Sequence, residues 1–498
     1  MTRPKVGAVV GVSLCVWISG CASVAPEPLL HEELAAQTAA DRHSAATAPP
    51  IAGVLTLEEA LARALKFNLD RRARMLEEAL AIGQLDVSRL DMLPKLLANA
   101  GYTSRNNDRI SQSRDSETGA ASTSRFISQE RAHTESGLAL SWNMLDVSLG
   151  YYNAKSQADR VLIATERRRR AMHALMADVR TAYWRAYSAQ KLRGEINEAR
   201  QAARAALEDS RKSETERLRN PLDALRYQRQ LLENLRLLES VEQELSRGQK
   251  ELASLINAPL NESFTLAPPA AKQADDLIAL PIEKLEEMAL AQNAELREAH
   301  YNARIARDET RRTLSRLFPG VSFGYGLHYD TDNYLVNNRW NEVGMQLSFN
   351  LFNLFTGPAQ MRLADAGVAL ADQRRVAMQM AVLTQVHLAR LTLAAARGQL
   401  AHAEDIAEVD RKIREHLGNR EQTAASGKLE RISAQTSHIL SLLRRDQAMS
   451  ELQAASGRLS AALGAEPAIG SVDDLSLEAL TRQVADFDTS TGPAKAAQ

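Results

Sequence analysis

The sequence contains itself twice. LTLEEALARALKFN, beginning at Leu55, returns as LPIEKLEEMALAQN at Leu280, and the same offset of 225 residues carries Asn68 onto Asn293, Pro94 onto Pro319 and Gly101 onto Gly326. Further along, the offset falls to 207: GLALSWNMLD from Gly137 matches GMQLSFNLFN from Gly344, Gly150 matches Gly357, and Leu222-Asp223 matches Leu429-Glu430. A repeat at fixed offset is one supersecondary unit built twice, so the architecture of one half constrains the other. The change of offset places an 18-residue insertion in the first copy between Gly101 and Gly137. There SRNNDRISQSRDSETGAASTSRF reads as a solvated loop.

Proline is absent from 95 to 220 and from 359 to 466, and Ala, Leu, Arg, Glu and Gln dominate both spans. Uninterrupted helices are therefore permitted. A helix from Gly150 to Ser213 would run about 96 Å at 1.5 Å per residue, far beyond what a globular core covers, so partner helices must lie beside it. Leu231, Leu238, Leu245 and Leu252 recur every seven residues, and Leu452 and Leu459 repeat the last two. That spacing keeps one seam turned toward a neighbour in a supercoiled pair. Asn220-Pro221 and Gly427-Lys428 punctuate the outgoing and returning segments of two helical hairpins.

The expected organisation is a first repeat over 52–257, with a helix, a β-hairpin at 95–143 and a helical hairpin at 150–257. A Pro-containing linker at 258–279 leads to a second repeat over 280–465, with a β-hairpin at 320–350 and a helical hairpin at 357–464. The Ala/Pro-rich stretch over 21–51 reads as a tether and 466–498 as a C-terminal tail.

Four segments alternate apolar with small or polar residues. VSFGYGLHY sets Val321, Phe323, Tyr325, Leu327 and Tyr329 against Ser322, Gly324, Gly326 and His328. The others carry Leu96, Ala98, Ala100 and Tyr102; Leu138, Leu140 and Trp142; and Val343, Met345, Leu347 and Phe349. A half-buried soluble sheet also alternates. Nine residues tilted near 40° cover roughly 23 Å, however, which is close to the apolar band of an outer-membrane barrel. Of four Trp, ten Tyr and nine Phe, nine fall between Phe318 and Phe355, a clustering suited to a lipid face with interfacial anchors. Tyr102, Leu138, Leu140, Trp142, Phe323, Tyr325, Tyr329, Leu347 and Phe349 are the candidate lipid-facing residues. Four strands cannot close a barrel, and an open edge in hydrocarbon leaves unmet backbone groups at several kcal/mol each. Several copies must therefore share one barrel, and two, three or four would all satisfy this argument.

The N-terminus explains how such a chain reaches a membrane. Arg3 and Lys5 precede the apolar run VGAVVGVSLCVWISG, which is too short to span and ends at small residues, as in an export signal over residues 1–20. ISGCAS resembles the lipobox of bacterial lipoproteins, implying cleavage before Cys21 and acylation (palmitate) of its thiol; Ala22 after it implies outer-membrane sorting. Cys15, the other cysteine, lies inside the signal, so the mature chain has no internal disulfide. No later apolar stretch reaches 18 residues, so any crossing must be made by β-strands.

Duplicated halves, LTLEEALARAL…N, a proline before the first strand of each hairpin, LSWNMLD and LSFNLFN, and paired helical hairpins together resemble the TolC-like outer-membrane efflux factors over about residues 52 to 465. The resemblance implies a mainly α fold with a transmembrane β-barrel portion. In it a homotrimer shares a twelve-stranded barrel that continues as an α-barrel tunnel through the periplasm. It further implies an exit duct, lipid-anchored in the outer membrane, working with a periplasmic adaptor (membrane fusion) protein and an inner-membrane pump of the resistance-nodulation-division type. Matched by position to the family's helical tips, Asn220, Pro221, Leu222 and Asp223 and Gly427, Lys428, Leu429 and Glu430 are candidate adaptor-docking turns. Asp223 and Glu430 could ring a constriction with carboxylates, although capping or solvent-facing roles suit them as well. ERRRR at 166–170 goes round a helix rather than lining one face and reads as solvated surface.

Other function classes find little support. A formal charge of −1 gives no basic footprint for nucleic acid. HExxH and GxxxxGK[ST] are absent, and FGYGLHY lacks the last glycine of a dinucleotide loop. No enzyme, metal or cofactor is therefore expected. A type I secretion duct shares the same design. A lipid-tethered periplasmic coiled-coil scaffold would need the four alternating segments to pack as a small buried sheet.

Overall fold

The computed structural model describes residues 28–45, 48–216, 221–262, 264–269, 279–422, 428–465 and 472–490. The chain divides into two compact units at Pro49–Pro50. In the first, the stretch expected as a tether carries a helix, α1 (His31–Ala45), with no buried residue.

In the second unit each repeat opens with a helix pair. The first pair is α2 (Leu57–Phe67) and α3 (Leu69–Leu90). Thr56 caps α2 by accepting from Glu59 N at 3.2 Å. Leu57, Ala60, Leu61, Ala64 and Leu65 recur at the i, i+3, i+4 spacing of one helical face, and all are buried. The equivalent pair is α6 (Ile282–Gln292) and α7 (Ala294–Ser315).

The repeated asparagines have one task in both copies. Asn68 Oδ1 accepts from Arg71 N at 3.0 Å while its Nδ2 donates to Leu255 O at 3.1 Å. Asn293 Oδ1 accepts from Glu295 N and Leu296 N while its Nδ2 donates to Ala462 O at 2.9 Å. Each side chain thus caps the start of one helix and ties down the end of another, which a carboxylate or hydroxyl at the same place could not do as completely. The helix ends they grip finish alike. Asn257 and Gly464, 207 residues apart, both adopt left-handed backbone, φ 53° and 70°. Gly464 also lies so close to the Gln292 carbonyl that a Cβ would collide with it.

The helix pairs lead into hairpins. β2 (Lys95–Ser104) pairs with β5 (Ala132–Asn143), and β7 (Gly320–Asp330) with β8 (Arg339–Ser348). The insertion between β2 and β5 is more built than a loop. β3 (Ile110–Ser111) and β4 (Phe126–Ile127) form a short ribbon closed by an Arg131–Asp108 pair at 2.6 Å and by Asp115 Oδ1 accepting from Glu117 N and Thr118 N. The guanidinium of Arg131 holds the Asp108 carboxyl below its ordinary range.

From each second strand the chain enters a long helix. α4 (Met144–Thr215) has 72 residues, about 108 Å at 1.5 Å each. It starts six residues before Gly150 because Asn143 Oδ1 accepts from Leu145 N at 2.8 Å and caps it directly off the strand. α8 (Asn353–Gln422) has 70 residues. The return helices are α5 (Pro221–Leu255) and α9 (Lys428–Leu463). Leu231, Leu238, Leu252, Leu452 and Leu459 are all buried along the seams.

Between the repeats, β6 (Thr265–Leu266) pairs in parallel with β1 (Val54–Leu55). Tyr183 on α4 straps both down, its hydroxyl lying 2.8 Å from Leu55 O and Ala267 O. The tail needs correction: Val472 and a helix, α10 (Leu477–Ser490), add Leu480 and Val484 to the core formed by α2, α4 and the end of α5. Their burial against α2 makes this stretch part of the fold.

ERRRR is a second correction, because its residues radiate toward two neighbouring helices. Arg167 pairs with Glu298 at 2.6 Å and Arg170 with Glu295 at 3.1 Å, both on α7, and Arg168 with Glu78 on α3 at 2.7 Å. Glu166, 4% exposed, holds Arg169 at 2.6 Å and Arg297 at 3.3 Å. Going round the helix is what lets one turn clamp two neighbours.

Candidate functional site

The hairpins join as one antiparallel sheet in the order β2–β5–β7–β8. Register sets Leu96, Leu140, Tyr325 and Val343 in one row across it, and Ala98, Leu138, Leu327 and Asn341 in another. Trp142, Phe323 and Met345 form a third. The two-residue period puts these on one face. Tyr102, Tyr329 and Leu347 share it, and Phe349 lies one residue beyond β8. Among the described residues nothing covers this face: Leu138 is 44%, Leu347 69% and Val343 81% exposed. A small buried sheet, as a coiled-coil scaffold requires, is not what forms.

Apart from Leu97 and Trp340, the opposite face is polar or bare. Its rows read Asn99, Gly137, His328, Trp340, then Leu97, Ala139, Gly326, Glu342, then Lys95, Ser141, Gly324, Gly344. At the far end from the helices a buried network binds the two hairpins. His133 Nδ1 donates to Asp330 Oδ1 at 2.9 Å, and Asp332 Oδ1 accepts from Glu130 N and Tyr334 N. Sequence reasoning missed this network, because its members are scattered over some 200 residues and only the β5–β7 pairing brings them together.

The outer strands β2 and β8 are exposed throughout, and among the described residues each lacks a neighbour on one side. The helices repeat this order. α3 packs on α4, α4 on α7 and α7 on α8, and further along α5 packs on α4, α4 on α9 and α9 on α8. Strand and helix correspond one to one, since β2 follows α3, β5 enters α4, β7 follows α7 and β8 enters α8. One side of the layer is therefore β2, α3 and α5, and the other is β8 and α8. Both sides expose apolar side chains, Leu76, Leu80, Val87 and Leu90 on α3 against Leu363, Leu370, Ile406 and Ile413 on α8.

On α4, Met172, Met176, Val179 and Tyr183 face the core with α2. A groove of 1440 Å³ lies on another face of α4, lined by Arg167, Arg170 and Ala174 together with Glu295 and Glu298 of α7 and Arg374 of α8. Its charges are largely paired across the layer, as above.

Of the tip residues, Asn220 and Gly427 lie outside the described residues, as does Cys21. Pro221 and Lys428 open α5 and α9. Leu222 is exposed, and Leu429 packs against the cluster that includes Leu231 and Ile432. Asp223 and Glu430 both sit exposed in first helical turns, where a carboxylate is favoured by the helix dipole. No helix among the described residues is long and apolar enough to cross a membrane, and none of their His, Cys, Asp and Glu residues cluster to hold a metal ion.

Two repeats of helix pair, β-hairpin and long helical hairpin, set side by side into one sheet and one helical layer, define the fold of the TolC-like outer-membrane channels. Solved structures share it. The Campylobacter jejuni CmeC outer membrane channel superposes with a TM-score of 0.66 at 13% identity, over 86% of this chain and 89% of its own. The outer-membrane channel OprN gives 0.63 at 18% identity, over 82% and 90%. CusC gives 0.60 at 16%, over 84% and 95%. No protein-family model and no curated protein sequence matches the chain. At these identities the likeness is one of fold.

Proposed function

We propose that this chain is one subunit of a homotrimeric outer-membrane duct, the passive exit of a tripartite efflux system. The observation that carries it is the open sheet, apolar and uncovered on one face, with an unpaired strand at each side and the same order continued by the helices beneath. Sides that differ, β2 with α3 and α5 against β8 with α8, are satisfied by joining head to tail, and such contacts form a ring where the rotation between copies completes a circle. Closure pairs every strand edge, turns the apolar face to lipid and leaves the bare face toward water. Leu90 and Leu80 of one copy then meet Leu363 and Leu370 of the next.

Three copies give twelve strands, the number the family resemblance implies. The charge-paired groove along α4, α7 and α8 becomes tunnel wall. The turns at Leu222-Asp223 and Leu429-Glu430 are the ends offered to a periplasmic adaptor, with an inner-membrane pump of the resistance-nodulation-division type supplying energy. Acylation of Cys21 adds a lipid anchor.

The test is cross-linking and bilayer conductance. Cysteines placed at Leu90 and Leu363 should link copies into a ladder ending at three in detergent extracts, and the purified protein should conduct ions. A monomer that stays soluble without detergent and never conducts would overturn the reading. Mass spectrometry of the mature N-terminus tests the anchor separately.

A further inference from the structure

Against a nearly bare sheet face, two large rings stand out. His328 and Trp340 are register partners on β7 and β8, and their rings stack with centroids 5.1 Å apart and planes 9° from parallel. The stack depends on glycine beneath it. A Cβ at Gly326 would fall 2.5 Å from His328 Nε2, and one at Gly137 would fall 2.9 Å from Leu327 O and 3.4 Å from His328 Nδ1. Any side chain at Gly326 would lift the imidazole off the sheet.

A carboxylate flanks each edge of that imidazole: Glu135 Oε1 is 3.9 Å from Nδ1 and Glu342 Oε2 is 3.7 Å from Nε2. Both glutamates are exposed, and among the described residues neither has a Lys or Arg partner. This separates them from the carboxylates of the helical layer, where Glu166, Glu295 and Glu298 each hold an arginine. The carboxylates sit at opposite edges of the ring, so one small ion cannot bridge both. A flat group stacked on the outer face of Trp340, which His328 backs from below, can interact with both.

The geometry points to a recognition station for planar organic cations on the inner wall of the barrel, with Trp340, backed by His328, as the stacking platform and Glu135 and Glu342 as the counter-charges. It rests on the duct reading, which makes this face the lumen. An aromatic face attracts a cation through its quadrupole, and carboxylates that no lysine or arginine pairs, inside a low-dielectric tube, focus a field that favours cations and repels anions. Ring closure repeats the station once per copy, so the outer part of the passage carries a selectivity that the charge-paired helical groove lacks.

The experiment uses the full-length protein in planar bilayers, with a KCl gradient to read ion preference and ethidium as the planar cation. The wild-type channel should prefer potassium over chloride, and ethidium should block it. Glu135→Gln with Glu342→Gln should bring the permeability ratio close to one. Trp340→Ala should weaken ethidium block by about three- to thirtyfold while leaving the potassium preference in place, and Trp340→Phe should restore most of the block. All these side chains are partly or fully exposed, and each variant is checked for the wild-type oligomer band. An unaltered permeability ratio in the double glutamine variant, or unaltered block in Trp340→Ala, would sink this inference and leave the duct intact. Absence of any conductance in the wild type would instead remove the duct and this inference with it.

Discussion

Placing an arginine at Leu138 tests the membrane assignment at a single side chain. Leu138 lies five residues up β5 from Asn143, where the strand hands over to α4. At about 3.3 Å per residue and a tilt near 40° this is roughly 13 Å, the middle of an apolar band about 25 Å tall. Its row neighbours are Ala98 and Leu327, and it is 44% exposed on the uncovered face. Arginine at such a depth costs about 2–4 kcal/mol. Three copies in one barrel would feel it together, about 6–12 kcal/mol per trimer if each site contributes equally.

The control is the next residue. Ala139→Arg points to the bare face, opposite Leu97 and Gly326 and in the same row as Glu342, where water and a carboxylate receive it. Urea titration of both variants refolded into lipid vesicles, read by gel mobility of the assembled oligomer, should show Leu138→Arg failing or losing most of its stability and Ala139→Arg close to wild type. Equal losses, or a larger loss at Ala139, would refute the assignment of faces and with it the barrel.

Asn68→Asp and Asn293→Asp should each lower the urea midpoint by an amount equivalent to about 1–3 kcal/mol, since the cap survives but a buried carbonyl loses its donor; calorimetry of each variant checks this. Glu166→Ala removes the buried carboxylate that holds Arg169 and Arg297 and should cost about 1.5–3 kcal/mol, with Glu166→Gln intermediate, read by the same titration. The Arg131–Asp108 clasp should hold at neutral and mildly acidic pH. Because the folded Asp108 carboxyl is depressed, its contribution is present above the ordinary carboxylate range and disappears as pH falls through the lowered value. A nitroxide at Ser124 should gain mobility only in that acid range, and in Asp108→Asn already at neutral pH.

Much of the fold was legible because periodicity survives without contacts. The doubled offset announced two like units, the proline-free spans announced long helices, and alternation at VSFGYGLHY announced strands. Local capping shifted their ends, as at Asn143, where a side chain from the strand starts α4 six residues early. Charge patterns misled more, because ERRRR looks the same in solvent as between two helices. The stretch from Val472 to Ser490 looked like a tail because its few apolar residues matter only once α2 receives them.

The sequence by itself determined the repeat, the period of each segment and which side chains share a face, since these follow from 3.6- and 2-residue geometry along one chain. Only the tertiary structure decided the strand order β2–β5–β7–β8, the Arg–Glu clamps around α4 and the meeting of His328 with Trp340. Each joins residues that are far apart along the chain or whose partner is set by strand pairing, and their contacts exist only after strands have paired and helices have packed.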